Sequence, residues 1–424
     1  MTNHYRLFAW NLSYFSAKIR AYLRFKEFHG VLSYEEILAT QDIIDAIIKP
    51  ATGTNVVPQL QGADGRWFQD SSEIIDLLEA ANPQAPVIPT GPKQKLVSYL
   101  VELLADEWML PWGFWERWHH TQKKNSPNHE VFNALQWGRI FNVDGTGSER
   151  IAAGRFAFGE AKLDDPDNAP GGPIVGLTQL GVTPKTQEAW TESMMDMLAC
   201  LEAHFDLHDY ILGGQPSLAD FALLGPLYPH LYKDPVPGFM IRTQYPMVSE
   251  WIERVNGSKE AGYKSYREPQ YRLVDGELVK QQPGTILPND EVPATLLPLL
   301  QIFFSEMWPM LKDTVHVVRE FAAAAPDSDL PGKTFHSSAE FKDAQSGDGG
   351  LTLEFQIGDE HERRMASPYH VWMLQRMSDA IASDKPELVS FVNAFEEGAE
   401  LLDLENLLAD CRLVKEFEKL TLAK

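Results

Sequence analysis

The sequence predicts a small α/β domain, an all-helical domain and a further region of mixed α and β structure. The first 80 residues alternate between short apolar runs and helical stretches, in the order β-α-β followed by β-β-α. A proline-rich linker at residues 83–94 separates them from segments with helical apolar spacing. From about residue 262 strand-like runs return between the helices. We therefore place the domains at residues 1–84, 95–260 and 262–424.

Composition narrows the classes of function. The chain has 424 residues, enough for two or three domains, and a formal net charge of −23. An acidic surface repels phosphate backbones and anionic lipids, so we expect no nucleic-acid or membrane partner. Its two cysteines, Cys200 and Cys411, lie far apart and fit neither a disulfide framework nor a metal site. The N-terminus lacks signal-peptide features and no apolar run reaches about 18 residues, so we expect a cytoplasmic protein.

Five stretches of the first domain carry strand and helix signals. In order, these are the strand "YRLFAW", the helix "SYFSAKIRAYLRFKEFHG" closed by Gly30, the strand "VLSYEEI", the hairpin "VVPQLQGADGRWFQD" and the helix "SSEIIDLLEAANP". The hairpin turns at Asp64-Gly65, and Asn82-Pro83 ends the last helix. This order of strands and helices predicts the thioredoxin-like arrangement.

The second domain is expected to be helical, and the third mostly helical with short strands. Helical apolar spacing begins at "KLVSYLVELLADEWMLPWGFWERWHH" and ends at "YPMVSEWIERVNG". An insertion is expected at about residues 120–185, because residues 163–177 are rich in proline and glycine. In the third region we expect hairpins at Asp275-Gly276 and Gly358-Asp359, and a helical acidic tail from Pro386.

Three hydroxyl side chains, Ser13, Tyr14 and Ser16, stand where the first predicted strand gives way to the first helix. A helix start favours hydroxyl caps, because their oxygens accept hydrogen bonds from free backbone N–H groups. A hydroxyl at the positive end of a helix dipole also suits an anionic sulfur. The residues alone leave the cap and the sulfur site open.

Two further positions allow a similar pair of interpretations. Pro58 interrupts the extended run "NVVPQL", either as an edge-strand proline or as a proline that exposes the Val57 backbone for pairing. Asp70 or Ser71 begins a helix, and Glu73 fits a capping box. The same helix start favours a ligand carboxylate through its N–H groups, while Asp70 would hold an amine.

Four segments in matching order resemble those of the cytosolic glutathione S-transferase family. They are "SYFSAKIRAYL", "TGTNVVPQL", "FQDSSEIIDLLE" and "GGQPSLADFALLGPL", and the resemblance covers about residues 4–258. It implies a thioredoxin-like domain followed by the all-α glutathione transferase C-terminal domain. In the last segment it implies that Ser217 caps a buried helix and Asp220 completes the capping box. Residues 262–424 form an atypical extension to which we assign no chemistry.

The resemblance implies that glutathione is the cosubstrate and that Ser13 donates a hydrogen bond to its sulfur. A thiol has a pKa of about 8.5, so a hydrogen-bond donor is needed to favour the thiolate at neutral pH. Tyr14 stands where serine-type members often have proline, and Tyr14 and Ser16 are alternatives for this role. No cysteine stands in "SYFS", which disfavours disulfide exchange because that chemistry needs a thiolate nucleophile.

The peptide part of glutathione is assigned by the same resemblance. Val57 would pair through its backbone with the cysteinyl residue, and Pro58 would be a cis proline. Asp70 and Ser71 would hold the γ-glutamyl end. No metal and no further bound cofactor is implied.

A tryptophan stripe begins the second domain. Trp108, Trp112 and Trp115 stand at i, i+4 and i+7, so they share one helical face. The stripe is either part of an aromatic core or an apolar wall for an aromatic second substrate between the domains.

The extension contains three arginines near its most distinctive stretch, Arg363, Arg364 and Arg376. They would either bind an anion, or be solvated or paired with acidic side chains. The acidic composition of the chain favours the second interpretation.

The sequence thus predicts a glutathione transferase-like enzyme in which the glutathione thiolate attacks a hydrophobic electrophile, an aromatic one if the tryptophan stripe forms the wall of the pocket. The resemblance implies a role in detoxification and a homodimer, although the extension could block the dimer. One alternative is a binding or assembly module without turnover, which retention of Val57-Pro58 and Asp70-Ser71 disfavours. The other is a glutathione-dependent lyase or isomerase acting on a specific metabolite.

Overall fold

The protein is represented by a computed structural model. It describes residues 4–122, 125–159, 173–257, 270–324 and 351–423, together with Tyr266 and Leu330. Most of the proline- and glycine-rich part of the predicted insertion, residues 160–172, lies outside the described residues. The proposed domain boundaries remain a prediction.

The N-terminal domain is a four-stranded sheet in the order β2-β1-β3-β4 with helices packed against it. Strand β1 pairs with β2 in parallel and with β3 antiparallel, and β3 pairs with β4 antiparallel. This mixed sheet confirms the predicted thioredoxin-like order. The elements are β1 His4–Ala9, α1 Tyr14–Phe28, β2 Ser33–Leu38, α2 Gln41–Ile43, a π-helical turn Ile44–Ile48, α3 Lys49–Thr52, β3 Gln59–Gly62, β4 Trp67–Gln69 and α4 Ser71–Ala81.

The core of this domain follows from the apolar pattern. Leu7 on β1 lies opposite Leu60 on β3, and both side chains are fully buried. Ile19 on α1 and Ile74 on α4 join the same core. Helix α1 ends just before Gly30, whose φ of 68° suits a residue without a Cβ. Packing of α1 and α4 against the sheet therefore holds the start of α1 in a fixed position.

The second domain is built from helices, as predicted. They are α5 Pro92–Leu103, α6 Leu110–Thr121, α7 Pro127–Phe141, α8 Gly147–Phe158, α9 Pro173–Gln179, α10 Gln187–Phe205, α11 Leu218–Gly225, α12 Pro235–Gln244 and α13 Pro246–Asn256. Two π-helical segments, Leu104–Trp108 and Pro226–Tyr232, lie between α5 and α6 and after α11.

The capping box at the start of α11 has the predicted geometry. The Asp220 carboxylate accepts hydrogen bonds from the Ser217 backbone N–H and hydroxyl, both at 2.9 Å. It also accepts from the Ile211 backbone N–H at 3.0 Å and the Trp251 indole at 2.9 Å. Burial raises the pKa of Asp220. This box therefore joins α11, α13 and the loop before α11 around one buried carboxyl.

The extension contributes three hairpins and several helices. Its elements are β5 Tyr271–Val274, β6 Glu277–Lys280, a 3-10 turn Ala294–Leu296, α14 Leu297–Ile302, a π-helical turn Phe303–Met307, α15 Trp308–Ala324, β7 Thr352–Ile357, β8 Glu360–Met365, α16 Pro368–Ile381, α17 Lys385–Val392, a 3-10 turn Gly398–Asp403, α18 Leu404–Leu407, β9 Leu413–Glu416 and β10 Lys419–Leu422. Both predicted hairpins are present, at β5–β6 and β7–β8.

The tail differs from the prediction of a wholly helical segment. After α17 and α18 the chain forms the hairpin β9–β10, in which Glu416 lies opposite Lys419. Leu413 and Leu420 are buried, whereas Val414 is exposed. This alternation stabilises a strand pair more than a helix, because successive side chains of a strand point to opposite faces. The high acidic content of the tail obscured it.

One continuous helical segment, Ala294–Ala324, is long and apolar enough by length and composition to cross a membrane. Half of its most apolar window is buried inside the protein. A helix in the core of a globular protein shares this composition.

A buried ion network joins the extension to both other domains. Lys18 on α1 lies 2.6 Å from the carboxylates of Glu102 and Asp106, with all three side chains almost fully buried. Arg376 on α16 pairs with Glu102 and with Asp76 on α4. The predicted pairing of Arg376 with acids is confirmed. The extension is thus fixed to the fold through charges removed from water.

Candidate functional site

One cavity of about 600 Å³ lies against the start of α1, where all three regions meet. That volume is in the range of small-molecule binding sites. Among its lining residues are Ser13, Val57, Asp70 and Phe114. The sequence motifs of the first domain therefore surround a space large enough for a small peptide and a second molecule.

The structure distinguishes the three candidate hydroxyls. Ser13 caps α1, because its Oγ accepts a hydrogen bond from the Ser16 backbone N–H at 3.2 Å. Ser13 lines the cavity and is half-buried. Within the described part of the chain, no group accepts its hydroxyl proton. Ser13 is thus both the cap and a hydrogen-bond donor facing the cavity.

Tyr14 and Ser16 are placed differently. The Tyr14 hydroxyl donates to the Ala105 carbonyl, and burial raises the pKa of Tyr14 well above its usual value. Its ring still lines the cavity, but its only proton is engaged. The Ser16 hydroxyl is fully buried and accepts from the Trp10 backbone N–H at 3.3 Å. Neither hydroxyl is placed to donate to a ligand as Ser13 is.

The loop before β3 carries the expected proline geometry. The Val57–Pro58 peptide bond is cis, and both residues line the cavity. The loop is fixed from the inside: Thr54 Oγ1 accepts from the Val56 N–H at 3.2 Å. The Val57 backbone lies before the first residue of β3, where it borders the cavity.

Asp70 and Ser71 lie at the N-terminus of α4. Asp70 caps the helix, accepting from the N–H groups of Ser72 and Glu73 at 3.0 and 3.2 Å. Its φ of 77° is rare for a residue with a side chain. Both Asp70 and Ser71 line the cavity. The helix start therefore presents a carboxylate and a hydroxyl to the same space.

The tryptophan stripe does not face the cavity. Trp108 is buried against Trp190 with ring centroids 4.7 Å apart, and the Trp112 indole N–H donates to Thr191. Trp115 stacks on His119. None of the three predicted stripe residues is among the described residues that line the cavity. Trp108 and Trp112 are therefore part of the aromatic core, the first of the two interpretations of the stripe.

A different set of aromatic side chains forms the apolar wall. Phe114 and Trp118, also four residues apart on α6, line the cavity together with Trp10 and Trp137. The Trp118 and Trp137 ring centroids are 5.7 Å apart. Trp112 and Trp115 lie on the same helix but on another of its faces. Sequence spacing alone does not tell which face of α6 borders the cavity.

The cationic side chains near Ser13 in sequence do not face the cavity. Lys18 belongs to the buried ion network, and Arg20 donates to Glu36. His230 lines the cavity, and burial lowers its pKa well below the usual value, so it is neutral. Near Ser13, then, the site relies on a hydroxyl and helix N–H groups more than on positive side chains.

Comparison with protein families accounts for this arrangement. Residues 7–86 match the family model of the glutathione S-transferase N-terminal domain. Residues 184–254 match that of the glutathione S-transferase C-terminal domain. The chain thus contains both domains of the glutathione S-transferase superfamily, in residues 7–86 and 184–254. No curated protein matches the sequence significantly.

Solved structures of the superfamily are similar to this chain at low identity. A glutathione S-transferase from Rhodospirillum rubrum F11 is 19% identical, covering 60% of this chain and 89% of its own, with a TM-score of 0.35. One from Methylobacterium radiotolerans, in complex with glutathione sulfonate, is 17% identical over 60% and 92%, with a TM-score of 0.34. A beta-etherase from Sphingobium sp. strain SYK-6 is 18% identical over 61% and 96%, with a TM-score of 0.38.

The superfamily resemblance did not identify the residues that the extension adds to the cavity. Tyr369, Lys415, Phe417, Glu418 and Leu420 line it and lie outside the matched domains. The alternating pattern of "LVKEFEKLTL" is the sequence signal that would have placed the last four on a hairpin. The cavity is thus formed by the two glutathione S-transferase domains and the extension together.

Proposed function

We propose that the protein binds glutathione in this cavity and activates its thiolate for attack on a hydrophobic electrophile. The observation that carries the proposal is the convergence of Ser13, the cis Val57–Pro58 bond and the Asp70–Ser71 helix start on one cavity. The same cavity is lined by the aromatic side chains of Phe114, Trp118 and Trp137. Polar groups for a peptide thiol and an apolar wall for an acceptor fit a two-substrate reaction.

In the proposed mechanism Ser13 stabilises the sulfur anion. Its Oγ already accepts from the Ser16 N–H, which orients its O–H toward the cavity. The N-terminus of α1 adds a favourable dipole. Lowering the thiol pKa by two units corresponds to about 2.7 kcal/mol. One charge-assisted hydrogen bond with a dipole contribution is sufficient for this.

The remaining polar groups would orient the peptide. The Val57 backbone would pair with the cysteinyl residue. Asp70 would hold the γ-glutamyl ammonium, and Ser71 with the first N–H groups of α4 would hold its carboxylate. These contacts would fix the sulfur near Ser13 before the acceptor arrives.

The acceptor would lie against Phe114, Trp118 and Trp137. The thiolate lone pair forms the new C–S bond, and the leaving group departs with its bonding electron pair. Burial holds the pKa of His230 well below its usual value, so His230 adds no positive charge to the site, and stabilisation of the thiolate is left to Ser13 and the N-terminus of α1. An apolar wall favours flat, hydrophobic acceptors.

Removing the γ-glutamyl contacts is expected to weaken glutathione binding about tenfold or more, since each charge-assisted hydrogen bond contributes about 1.5–3 kcal/mol. The variant is Asp70→Asn with Ser71→Ala. Asparagine keeps the capping oxygen and tolerates positive φ, so the helix start is retained. Calorimetric titration with glutathione measures the change, and Asp42→Asn on an exposed helix start is the matched control.

If the wild-type protein does not bind glutathione, the proposal is wrong. If it binds glutathione but converts no electrophile in initial-rate assays over a broad panel, the binding-module alternative replaces the transferase. A homodimer and a cytoplasmic location belong to the same proposal, and light scattering of the purified chain tests the first of these.

A further inference from the structure

The extension closes one side of the cavity. Tyr369, at the start of α16, and four residues of the β9–β10 hairpin line it, namely Lys415, Phe417, Glu418 and Leu420. The Lys415 side chain is only 4% exposed. The hairpin is therefore a wall of the site and not a tail lying on the outer surface.

Two polar contacts fix this hairpin to the two glutathione motifs of the N-terminal domain. Lys415 forms an ion pair with Glu73 in the first turn of α4. The Thr54 hydroxyl donates to Glu418 at 2.6 Å, in the loop that leads to Val57. The hairpin thus spans from the Asp70 end of the cavity to the cis-proline loop.

The other side of the hairpin is fixed to α16. Gln375 accepts from the Leu413 backbone N–H at 2.8 Å and donates to the Leu413 carbonyl at 3.1 Å. The Lys415 ammonium lies 5.0 Å from the centre of the Trp372 ring. Helix α16 is itself held by the buried Arg376 pairs. The Lys415 side chain is therefore held in place by its contacts with α16 and α4.

The turn of the hairpin carries unusual residues. Phe417 and Glu418 form a two-residue turn between the paired Glu416 and Lys419, and the φ of Phe417 is 51°. Glycine or asparagine suits such a position better than a bulky residue. Both turn side chains line the cavity. The requirements of a two-residue turn do not explain why phenylalanine and glutamate stand here, whereas a role in lining the cavity does.

Of the two cationic side chains that line the cavity in the described part of the chain, Arg117 and Lys415, Lys415 is the better partner for a ligand carboxylate. Arg117 also lines the cavity, but its guanidinium donates to Asp234 and to the Leu12 and Pro229 carbonyls. An ammonium has three donors, and the described contacts of Lys415 use Glu73. The γ-glutamyl end of glutathione carries one carboxylate and one ammonium. Lys415 and Asp70, both at the start of α4, match those charges.

We propose that the β9–β10 hairpin is part of the glutathione site, with Lys415 binding the γ-glutamyl carboxylate next to the start of α4. This inference rests on the proposed function. It assigns to the extension a role in recognising the γ-glutamyl residue. The Tyr369 hydroxyl forms a hydrogen bond with Asp70 at the same end of the cavity and positions the Asp70 carboxylate.

The test compares two thiol peptides by calorimetry on the full-length protein. Lys415→Met is expected to raise the Kd for glutathione about tenfold, as loss of one charge-assisted hydrogen bond requires. It should leave the Kd for cysteinylglycine, which lacks the γ-glutamyl residue, within about twofold. Lys415→Arg should restore most of the affinity. Lys419→Met, an exposed lysine on the neighbouring strand, is the matched control and should bind both peptides as the wild type does.

Equal weakening for both peptides, or no weakening for glutathione, would overturn the inference while leaving glutathione binding by the wild type intact. Failure of the wild type to bind glutathione would instead overturn the proposed function, and the inference with it. If the methionine variant unfolds, Lys415→Arg still tests the contact. Because arginine keeps the positive charge, an affinity for glutathione close to that of the wild type, with an unchanged affinity for cysteinylglycine, supports the assigned contact.

Discussion

Replacing Lys18 with methionine is expected to destabilise the fold by about 3–5 kcal/mol, because it leaves buried carboxylates without their partner. Lys18 bridges Glu102 and Asp106 at 2.6 Å, and its side chain is fully buried. Arg376 and the Ser72 hydroxyl would still contact Glu102, but Asp106 would lose its ion pair with Lys18. Urea unfolding followed by circular dichroism measures the loss, and the exposed Lys49→Met is the control, expected within about 0.5 kcal/mol of the wild type.

The same network gives a pH dependence. Burial raises the pKa of Glu102, but Arg376 and Lys18 outweigh it and lower that pKa to about 2 from an ordinary value of 4.5. A carboxyl with a lowered pKa stabilises the fold above its ordinary value and loses that contribution as pH falls toward 2. Stability of the wild type should therefore decline between about pH 4.5 and pH 2. A triple variant, Lys18→Met, Glu102→Gln and Asp106→Asn, should be more stable at neutral pH than Lys18→Met alone, because it also removes the two carboxylate charges. Equal stability of the two variants would contradict the charge argument.

Ser13→Ala is expected to lower kcat/KM at neutral pH about 100-fold, equivalent to about 2.7 kcal/mol of thiolate stabilisation. The physical reason is the loss of the O–H donor that faces the cavity. The pKa of the bound glutathione thiol should rise by about two units, while the Kd for glutathione changes little. A pH profile of initial rates with an aromatic electrophile measures both quantities.

Two companion variants separate catalysis from capping. Ser13→Thr keeps the hydroxyl and should retain most of the activity. Tyr14→Phe removes a hydroxyl whose proton is donated to the Ala105 carbonyl, so the thiol pKa should stay unchanged. If Tyr14→Phe raises the thiol pKa and Ser13→Ala does not, the role passes to Tyr14.

Local signals predicted the parts of the fold that local chemistry determines. The hydroxyl at Ser13 and the carboxylate at Asp70 each follow a capping rule, and the structure shows the corresponding helix starts. The cis bond at Pro58, implied by the family resemblance, is also present. The Ser217–Asp220 box is equally local. Spacing along the chain is enough to locate such motifs, since their partners lie within a few residues.

The parts that the sequence did not predict depend on long-range packing. Tertiary packing decides which face of α6 borders the cavity, so Phe114 and Trp118 line it and Trp112 does not. Lys415 reaches Glu73 across 342 positions of the chain. No periodicity within the extension encodes that meeting, which depends on where α16 packs.

The most direct test of the central claim is proton release when glutathione binds at pH 7, measured by calorimetry in buffers of different ionisation enthalpy. A thiol whose pKa falls from about 8.5 to about 6.5 releases about 0.7 proton per glutathione at that pH. S-methylglutathione, which has no thiol proton, should release none. Glutathione binding without proton release would contradict the account, because the cavity would then hold the thiol without activating it.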